Sequence, residues 1–232
     1  MADEYIKLVK TMFTDQVFQL MSEGNNITYQ NTPVNVRGVI CICNHINFSD
    51  FILLAKVINF KMVYFSDTLN KLMCHNAEIV SLIEYLMELI PYKRFRDDDT
   101  KGLDGECIKQ EIEKITSDGG NVLVFPEGEF SLNSRSGLKP FKNGLFYLSH
   151  EKSIPILPVI ISYSSEKAGT YAGENTYIDY MFEEAEIIVK FLDCMTSEDN
   201  ESAITYKDRI RDYMQHELNL LNDITANITL QR

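Results

Sequence analysis

The chain has 232 residues, enough for one sizeable core, and its 45% hydrophobic and 24% charged residues are typical of a folded globular protein. Its formal net charge of −12 excludes binding to nucleic acid or to an anionic membrane by bulk attraction, so we predict no nucleic-acid partner. The five cysteines match no zinc spacing, so we predict no metal site and expect buried, reduced thiols in a reducing compartment.

The segment 1–24 predicts an amphipathic helix that is separate from a single domain over 25–232. It has acidic residues near its start and lacks the apolar core of a signal peptide, and no apolar run of the chain is long enough to cross a bilayer. Such a helix either packs on its own domain or lies on a membrane surface. The apolar residues at helical spacing are Ile6, Val9, Phe13, Val17 and Leu20.

Predicted strands and helices alternate over the rest of the chain, which favours an α/β fold with a central β-sheet flanked by helices on both faces. The polar stretch 25–35 is interpreted as a connection, and Pro91 ends the helix predicted at 76–90. Short apolar runs predict strands at 37–43, 61–66, 121–128, 154–162 and 185–193. Helical spacing predicts helices at 48–59, 76–90, 105–120, 141–152 and 201–221.

Two polar motifs follow predicted strands, at the sheet edge where α/β proteins place their sites. Asn44 and His45 end one strand, and Phe125 to Gly128 end another. Asp50 lies five residues after His45. A carboxylate beside a histidine fixes the imidazole tautomer, which suits a general base, although a histidine at a strand end is also often structural. The chain has no G-x-S-x-G motif, so a basic His45 would activate a hydroxyl of the substrate.

Four blocks in order give the chain a resemblance to the glycerolipid acyltransferase family. The first block is Asn44, His45 and Asp50, and the second is an apolar strand that ends at Arg94. The third and fourth blocks are Phe125 to Gly128 with Phe141, Lys142 and Gly144 downstream, and the Ile-Pro-Ile-Leu-Pro-Val run at 154–159. The resemblance covers about residues 36–192 and implies a glycerol-phosphate acyltransferase-like fold.

The resemblance further implies transfer of a fatty acyl chain from acyl-CoA, or from acyl carrier protein, to a hydroxyl of a lysophospholipid or glycerol-phosphate acceptor, with no bound cofactor. His45 and Asp50 are then the catalytic pair. The residues expected to bind substrate are Asn44, Lys93, Arg94, Arg96, Glu127, Gly128 and Lys142. We expect peripheral association with the cytoplasmic side of a membrane, where the lipid acceptor lies.

Two residues depart from the family pattern. The third block usually continues Thr-Arg-Ser after its glycine, whereas this chain has Glu129 and Phe130 before Ser131. The family's arginine at that position helps to hold the phosphate of the acceptor, and a carboxylate beside a phosphate is repulsive. Two alternatives therefore stay open: the same reaction on a lipid without phosphate, and a lipid- or acyl-CoA-binding protein of the same fold without turnover.

Overall fold

The computed structural model describes residues 11–12, 15–16, 18–19, 22–23, 25–46, 50–65, 84, 88–92, 105–131, 137–164 and 185–229. The strands are β1 (Asn26–Gln30), β2 (Ile40–Cys43), β3 (Lys61–Phe65), β4 (Leu89–Tyr92), β5 (Val122–Val124), β6 (Ile156–Tyr163) and β7 (Glu186–Phe191). The helices are α1 (Asp50–Ala55), α2 (Gly105–Ser117), α3 (Asn143–Lys152) and α4 (Ala203–Thr229).

All seven strands form one mixed sheet in the order β1-β7-β6-β2-β5-β3-β4. β6, β2, β5, β3 and β4 are mutually parallel, whereas β7 pairs antiparallel with β6 and carries β1 in parallel on its outer side. β2 therefore lies at the centre, between β6 and β5. The carboxyl ends of these three neighbouring strands meet at one edge of the sheet, and the expected α/β fold is confirmed.

Side-chain alternation along β2 shows how the sheet separates two apolar layers. Cys41 and Cys43 point into the layer that contains α1, and Ile40 and Ile42 point into the layer formed with α2, α3 and α4. Successive residues of a strand face opposite sides, so an uninterrupted apolar run is the pattern of a strand covered on both faces. All four residues of β2 are fully buried.

Two predicted segments differ from the structure. The stretch 25–35 contains strand β1, which the interpretation as a polar connection missed. The helix predicted over 76–90 cannot include its last two residues, because Leu89 and Ile90 belong to β4 and Glu88 before them has a left-handed φ of 50°. Pro91 lies inside β4, where it is tolerated because β4 is an edge strand. The rest of 76–90, apart from Glu84, lies outside the described residues.

A proline within a strand usually marks an edge or an irregular strand, yet β6 lies inside the sheet between β7 and β2. The regular pairing with β7 begins at Val159, one residue after Pro158. Before that point β6 meets the chain after β7 through an isolated bridge between Ile156 and Met195. Pro158, which has no N–H, thus lies where the ladder is interrupted, and its carbonyl still accepts from the backbone N–H of Leu192 at 2.9 Å.

Part of the N-terminal segment lies against the α1 layer. Phe18 packs on that apolar cluster, and the Lys56 ammonium lies 5.0 Å from the centre of the Phe18 ring and 2.6 Å from the Asp15 carboxylate. Met12, in contrast, is 53% exposed. The amphipathic helix over 1–24 stays a prediction, since most of its residues lie outside the described part.

Within the part of the chain that the structure describes, no helix combines the length and the apolar character that a membrane span requires.

Candidate active site

Three strand ends build the site. β2 continues into Asn44 and His45, β5 continues into the turn Phe125 to Gly128, and β6 ends at Tyr163. Because β6, β2 and β5 are adjacent and parallel, these segments converge on one side of the sheet, as the sequence pattern predicted for His45 and Glu127. Asp50 joins them as the first residue of α1.

His45 and Asp50 form a direct pair. The imidazole Nδ1 lies 3.0 Å from Asp50 Oδ2, and the backbone N–H of Ile46 donates to the same oxygen at 2.7 Å. Asp50 has no solvent exposure, whereas the His45 side chain is 15% exposed. The carboxylate therefore holds one ring nitrogen, and the opposite nitrogen, Nε2, is at the ring edge that faces away from Asp50. This is the arrangement a general base requires.

Two phenyl rings cover the imidazole. The Phe125 ring is stacked on His45 with centroids 3.7 Å apart and planes at 13°, and the Phe130 centroid lies 4.0 Å from His45 at 33°. At such short distances two rings cannot share one face of the imidazole, so they lie on opposite faces. Both ring faces are shielded from water, and proton transfer is confined to the ring edge.

A β-turn brings Glu127 under the backbone of His45. The N–H of Gly128 donates to the carbonyl of Phe125 at 3.1 Å, with Pro126 and Glu127 in the middle of the turn. Proline at the second position and glycine at the fourth suit such a turn, and Gly128 has a φ of 75°, which glycine adopts without strain. The local sequence thus explains why the Glu127 carboxylate points inward.

Both oxygens of Glu127 accept hydrogen bonds from backbone. The N–H of His45 donates to Oε1 at 3.3 Å and the N–H of Lys139 donates to Oε2 at 2.8 Å, and Glu127 is only 1% exposed. Burial raises the pKa of Glu127 from its ordinary value of 4.5 to about 6, an effect opposed by the two backbone hydrogen bonds and assisted by the nearby Asp50 carboxylate. Glu127 therefore connects the β2 and β5 ends and fixes the backbone that carries the His45 side chain.

Asn44 extends the sheet beyond the last residue of β2. Its side-chain amide donates to the carbonyl of Ile161 at 2.9 Å and accepts from the N–H of Ile161 at 2.8 Å. The side chain is buried and reproduces the two bonds that a strand residue would make with β6. Substrate binding by Asn44 stays a prediction, and these contacts describe a residue that anchors the start of the His45 loop.

The predicted cationic residues are only partly described. Lys142 is exposed, and its backbone N–H donates to the carbonyl of Pro126 at 2.8 Å, so it starts α3 directly beside the Glu127 turn. Lys93, Arg94 and Arg96 lie outside the described residues, and their contact with substrate phosphate stays a prediction.

The interpretation of the sequence missed three residues of this site. Phe125 was noted only as part of a motif, although its ring stacks on His45. The backbone N–H of Lys139 donates to Glu127. The Nζ of Lys139 also donates to the carbonyl of Phe130 at 2.7 Å and lies 3.4 Å from Glu129 Oε1. Tyr163 donates its hydroxyl to Asp50 Oδ1 at 2.6 Å. An aromatic residue at the end of a buried strand reads as ordinary core, so no sequence signal marked Tyr163.

Among the described residues, no group of three or more histidine, cysteine or acidic side chains is arranged to hold a metal ion. Of the cysteines expected to be buried, Cys41 and Cys43 are buried, whereas Cys107 and Cys194 are exposed. Burial raises the pKa of Cys43, which the Asp50 carboxylate raises further. The Cys43 thiol is therefore held neutral and unreactive beside the site.

Comparison with known proteins points to one family. Residues 26–162, more than half of the chain, match the family model described as Acyltransferase. This segment contains His45, Asp50 and Glu127 and ends one residue before Tyr163.

Curated relatives and a solved structure agree with that match. The chain is 27% identical over 47% of its length to a 1-acyl-sn-glycerol-3-phosphate acyltransferase of Saccharomyces cerevisiae, and 28% identical over 60% of its length to one of Cocos nucifera. The matched segments span 34% and 42% of these relatives, which are longer proteins. The fold is similar to the crystal structure of the 1-acyl-sn-glycerophosphate acyltransferase PlsC of Thermotoga maritima, with a TM-score of 0.68, 15% identity, and coverage of 95% of this chain and 83% of that one.

The raised pKa of Glu127 predicts a pH-dependent stability. At a pH between 4.5, the ordinary pKa, and about 6, the pKa in the folded state, the folded protein keeps a proton that the unfolded chain releases. The stabilisation of the folded state by this proton is thus complete below pH 4.5 and is lost as the pH rises through 6. The loss amounts to about 2 kcal/mol by pH 7. The Glu127→Gln variant has no proton to release in this range. Its free energy of unfolding should therefore rise by up to about 2 kcal/mol relative to that of the parent between pH 4.5 and pH 7.

Urea unfolding of both proteins across that pH range measures the difference, with Glu129→Gln, an exposed neighbouring carboxylate, as the control for loss of a charge. A stability difference between Glu127→Gln and the parent that does not vary with pH would contradict the assignment.

Proposed function

This chain belongs to the acyltransferase family, and we propose that it transfers a fatty acyl group from acyl-CoA to a free hydroxyl of a lysophospholipid of the 1-acylglycerol-3-phosphate type. The family supports acyl transfer in phospholipid metabolism, and the relatives' names support the acceptor class. A thioester on acyl carrier protein presents the same carbonyl and is the alternative donor.

The observation that carries the proposal is the 3.0 Å contact between His45 Nδ1 and the fully buried Asp50 carboxylate. A carboxylate in this position keeps the proton on Nδ1 and stabilises the imidazolium, so that Nε2 is free to accept a proton. Lipid binding without turnover does not require a buried carboxylate oriented on an imidazole, whereas a general base does. The intact pair therefore favours the enzyme over the non-catalytic alternative.

The proposed reaction is a direct transfer. The acceptor hydroxyl gives its proton to His45 Nε2 as its oxygen forms a bond to the thioester carbonyl carbon. The tetrahedral intermediate then collapses, the carbon–sulfur bond breaks, and the imidazolium returns the proton to the departing thiolate. The products are an ester and free coenzyme A, and His45 ends as neutral imidazole, so the step balances without an acyl-enzyme.

The first prediction from this mechanism is that purified protein converts radiolabelled acyl-CoA and a lysolipid to a diacyl product, resolved by chromatography, and that His45→Ala lowers kcat by at least about 10²–10⁴-fold. Asp50→Asn should also lower kcat severely, because an amide favours the wrong imidazole tautomer. Acyl carrier protein thioesters in parallel reactions identify the donor.

His150→Ala is the matched control for this experiment. The His150 Nε2 contacts the carbonyl of Glu201 at 2.7 Å, so this variant also loses a partly buried imidazole but one that is outside the site. Full activity of a folded His45→Ala variant would exclude the general-base mechanism.

A second candidate, the same reaction on a lipid without phosphate, is favoured by one observation. The side chain at position 130 is a phenyl ring packed on His45, where the family has an arginine, and the cation near it, Lys139, is already bound to Glu129. The described part of the site thus presents no unengaged positive charge at this position. A phosphate acceptor would have to be bound from another direction, for which Arg94 and Lys142 are the candidates by motif.

A charge introduced at position 130 separates the two acceptors. If the acceptor phosphate passes near this position, Phe130→Arg supplies a charge-assisted hydrogen bond and should raise the preference for a phosphorylated over a non-phosphorylated acceptor about 10- to 100-fold, measured as the ratio of the two kcat/KM values. Phe130→Leu is the matched control, because it removes the same ring from His45 without adding charge. A preference that is equal in the two variants, with faster turnover of the non-phosphorylated lipid, would instead support the second candidate.

Membrane association is proposed to be peripheral and to depend on the exposed side of the N-terminal segment. Met12 is exposed, whereas Phe18 packs on the protein, so Met12→Glu should weaken flotation with phosphatidylcholine vesicles while leaving the unfolding temperature unchanged. Deletion of residues 1–24 should weaken flotation at least as much. Recovery of the parent protein away from the vesicles would show that the segment serves only the fold.

A further inference from the structure

Tyr163, the last residue of β6, reaches across to the catalytic pair. Its hydroxyl donates to Asp50 Oδ1 at 2.6 Å, within the range of about 2.5–2.7 Å typical of a hydroxyl bound to an ionised carboxylate. Tyr163 is 2% exposed and Asp50 has no exposure. The contact therefore lies entirely inside the protein, where a hydrogen bond to a charge is strong and its loss is costly.

The two oxygens of Asp50 have different partners. Oδ2 accepts from the backbone N–H of Ile46 and contacts His45 Nδ1, whereas Oδ1 accepts from Tyr163. A rotation of the carboxylate that moved Oδ2 away from His45 would also break the contact with Tyr163. The tyrosine thus holds the carboxylate in the orientation in which it faces the imidazole.

The phenol also replaces water at Asp50. Burying a polar group is costly unless donors replace the water it has lost. Tyr163 supplies such a donor from β6, independently of the loop that carries His45. During transfer, when His45 becomes an imidazolium, the same contact keeps the opposing negative charge in place.

We propose that Tyr163 is a positioning residue for acyl transfer, which acts through Asp50 by fixing the orientation of the carboxylate that holds His45. The inference rests on the proposed function. The segment that matches the family model ends at residue 162, so the family match does not assign this role. Tyr163 lies too deep to touch an acceptor, and its effect should fall on turnover and not on substrate binding.

Tyr29 offers a matched control. Its hydroxyl also bonds to α1, but to the backbone carbonyl of Leu53 at 2.9 Å and not to Asp50. Tyr29→Phe and Tyr163→Phe therefore each remove one hydroxyl that ties α1 to the sheet. A loss specific to Tyr163→Phe cannot arise from a general loosening of α1.

The experiment measures kcat and the KM of both substrates for the parent, Tyr163→Phe and Tyr29→Phe, at a temperature where circular dichroism shows all three to be folded. Tyr163→Phe should lower kcat about 10- to 100-fold, the effect expected of one hydrogen bond to a charged group, with both KM values within about twofold of the parent. Tyr29→Phe should keep kcat within about twofold of the parent.

A second readout follows the imidazole itself. The proton between His45 Nδ1 and Asp50 is expected as a low-field proton resonance that is absent in His45→Ala. Tyr163→Phe should shift this resonance and Tyr29→Phe should leave it in place. 3-Fluorotyrosine introduced at position 163 alone keeps the ring and the hydroxyl and should retain kcat within about twofold.

Four results would overturn the inference: an unchanged kcat in Tyr163→Phe, an equal loss in Tyr29→Phe, an unmoved resonance, or a Tyr163→Phe variant that does not fold at any temperature. In each of these the parent still transfers acyl groups. A parent protein that transfers no acyl group to any lysolipid would instead refute the proposed function, so the two failures are distinguishable.

Discussion

A carboxylate without any access to water has to be met by donors inside the protein, and Asp50 imposes this requirement on the whole site. Among the described residues, donors come from the backbone after β2 and from the phenol at the end of β6, and the imidazole of His45 lies against the same group. The central strand, its neighbour and the first helix must therefore keep their relative positions for the charge to be tolerated. The stability of this part of the fold and the orientation of the His45 imidazole are one requirement.

A second carboxylate carries out the corresponding task for the backbone. Glu127 accepts from the N–H groups of His45 and Lys139, and thereby joins the end of β2 to the segment that leads into α3. The two acids differ in what they orient: Asp50 acts on the imidazole, and Glu127 acts on the chain that bears it. His45 and Glu127 are 82 residues apart in the sequence, yet the order of the strands in the sheet makes them neighbours.

Much of this arrangement was predictable from the sequence, and the exceptions have physical causes. His45 and Glu127 were predictable because polar residues directly after buried strands mark the edge where parallel strands end, and Asp50 was predictable from its spacing after His45. β1 was not, because a strand at the sheet margin needs no apolar run and reads as a polar connection. The contact of Tyr163 with Asp50 depends on β6 lying next to β2, and the order of strands in a sheet is not written in local periodicity.

The pair of phenyl rings on His45 has a consequence for the path of the proton. A half-turn of the imidazole about its Cβ–Cγ bond would put Cδ2 in the place of Nδ1 and Cε1 in the place of Nε2, and the ring would have to sweep through the space that Phe125 and Phe130 occupy. The two phenyl rings therefore suppress this rotation while the domain stays folded. A proton that reaches the imidazole must then arrive and leave at the exposed ring edge, where Nε2 stays in place.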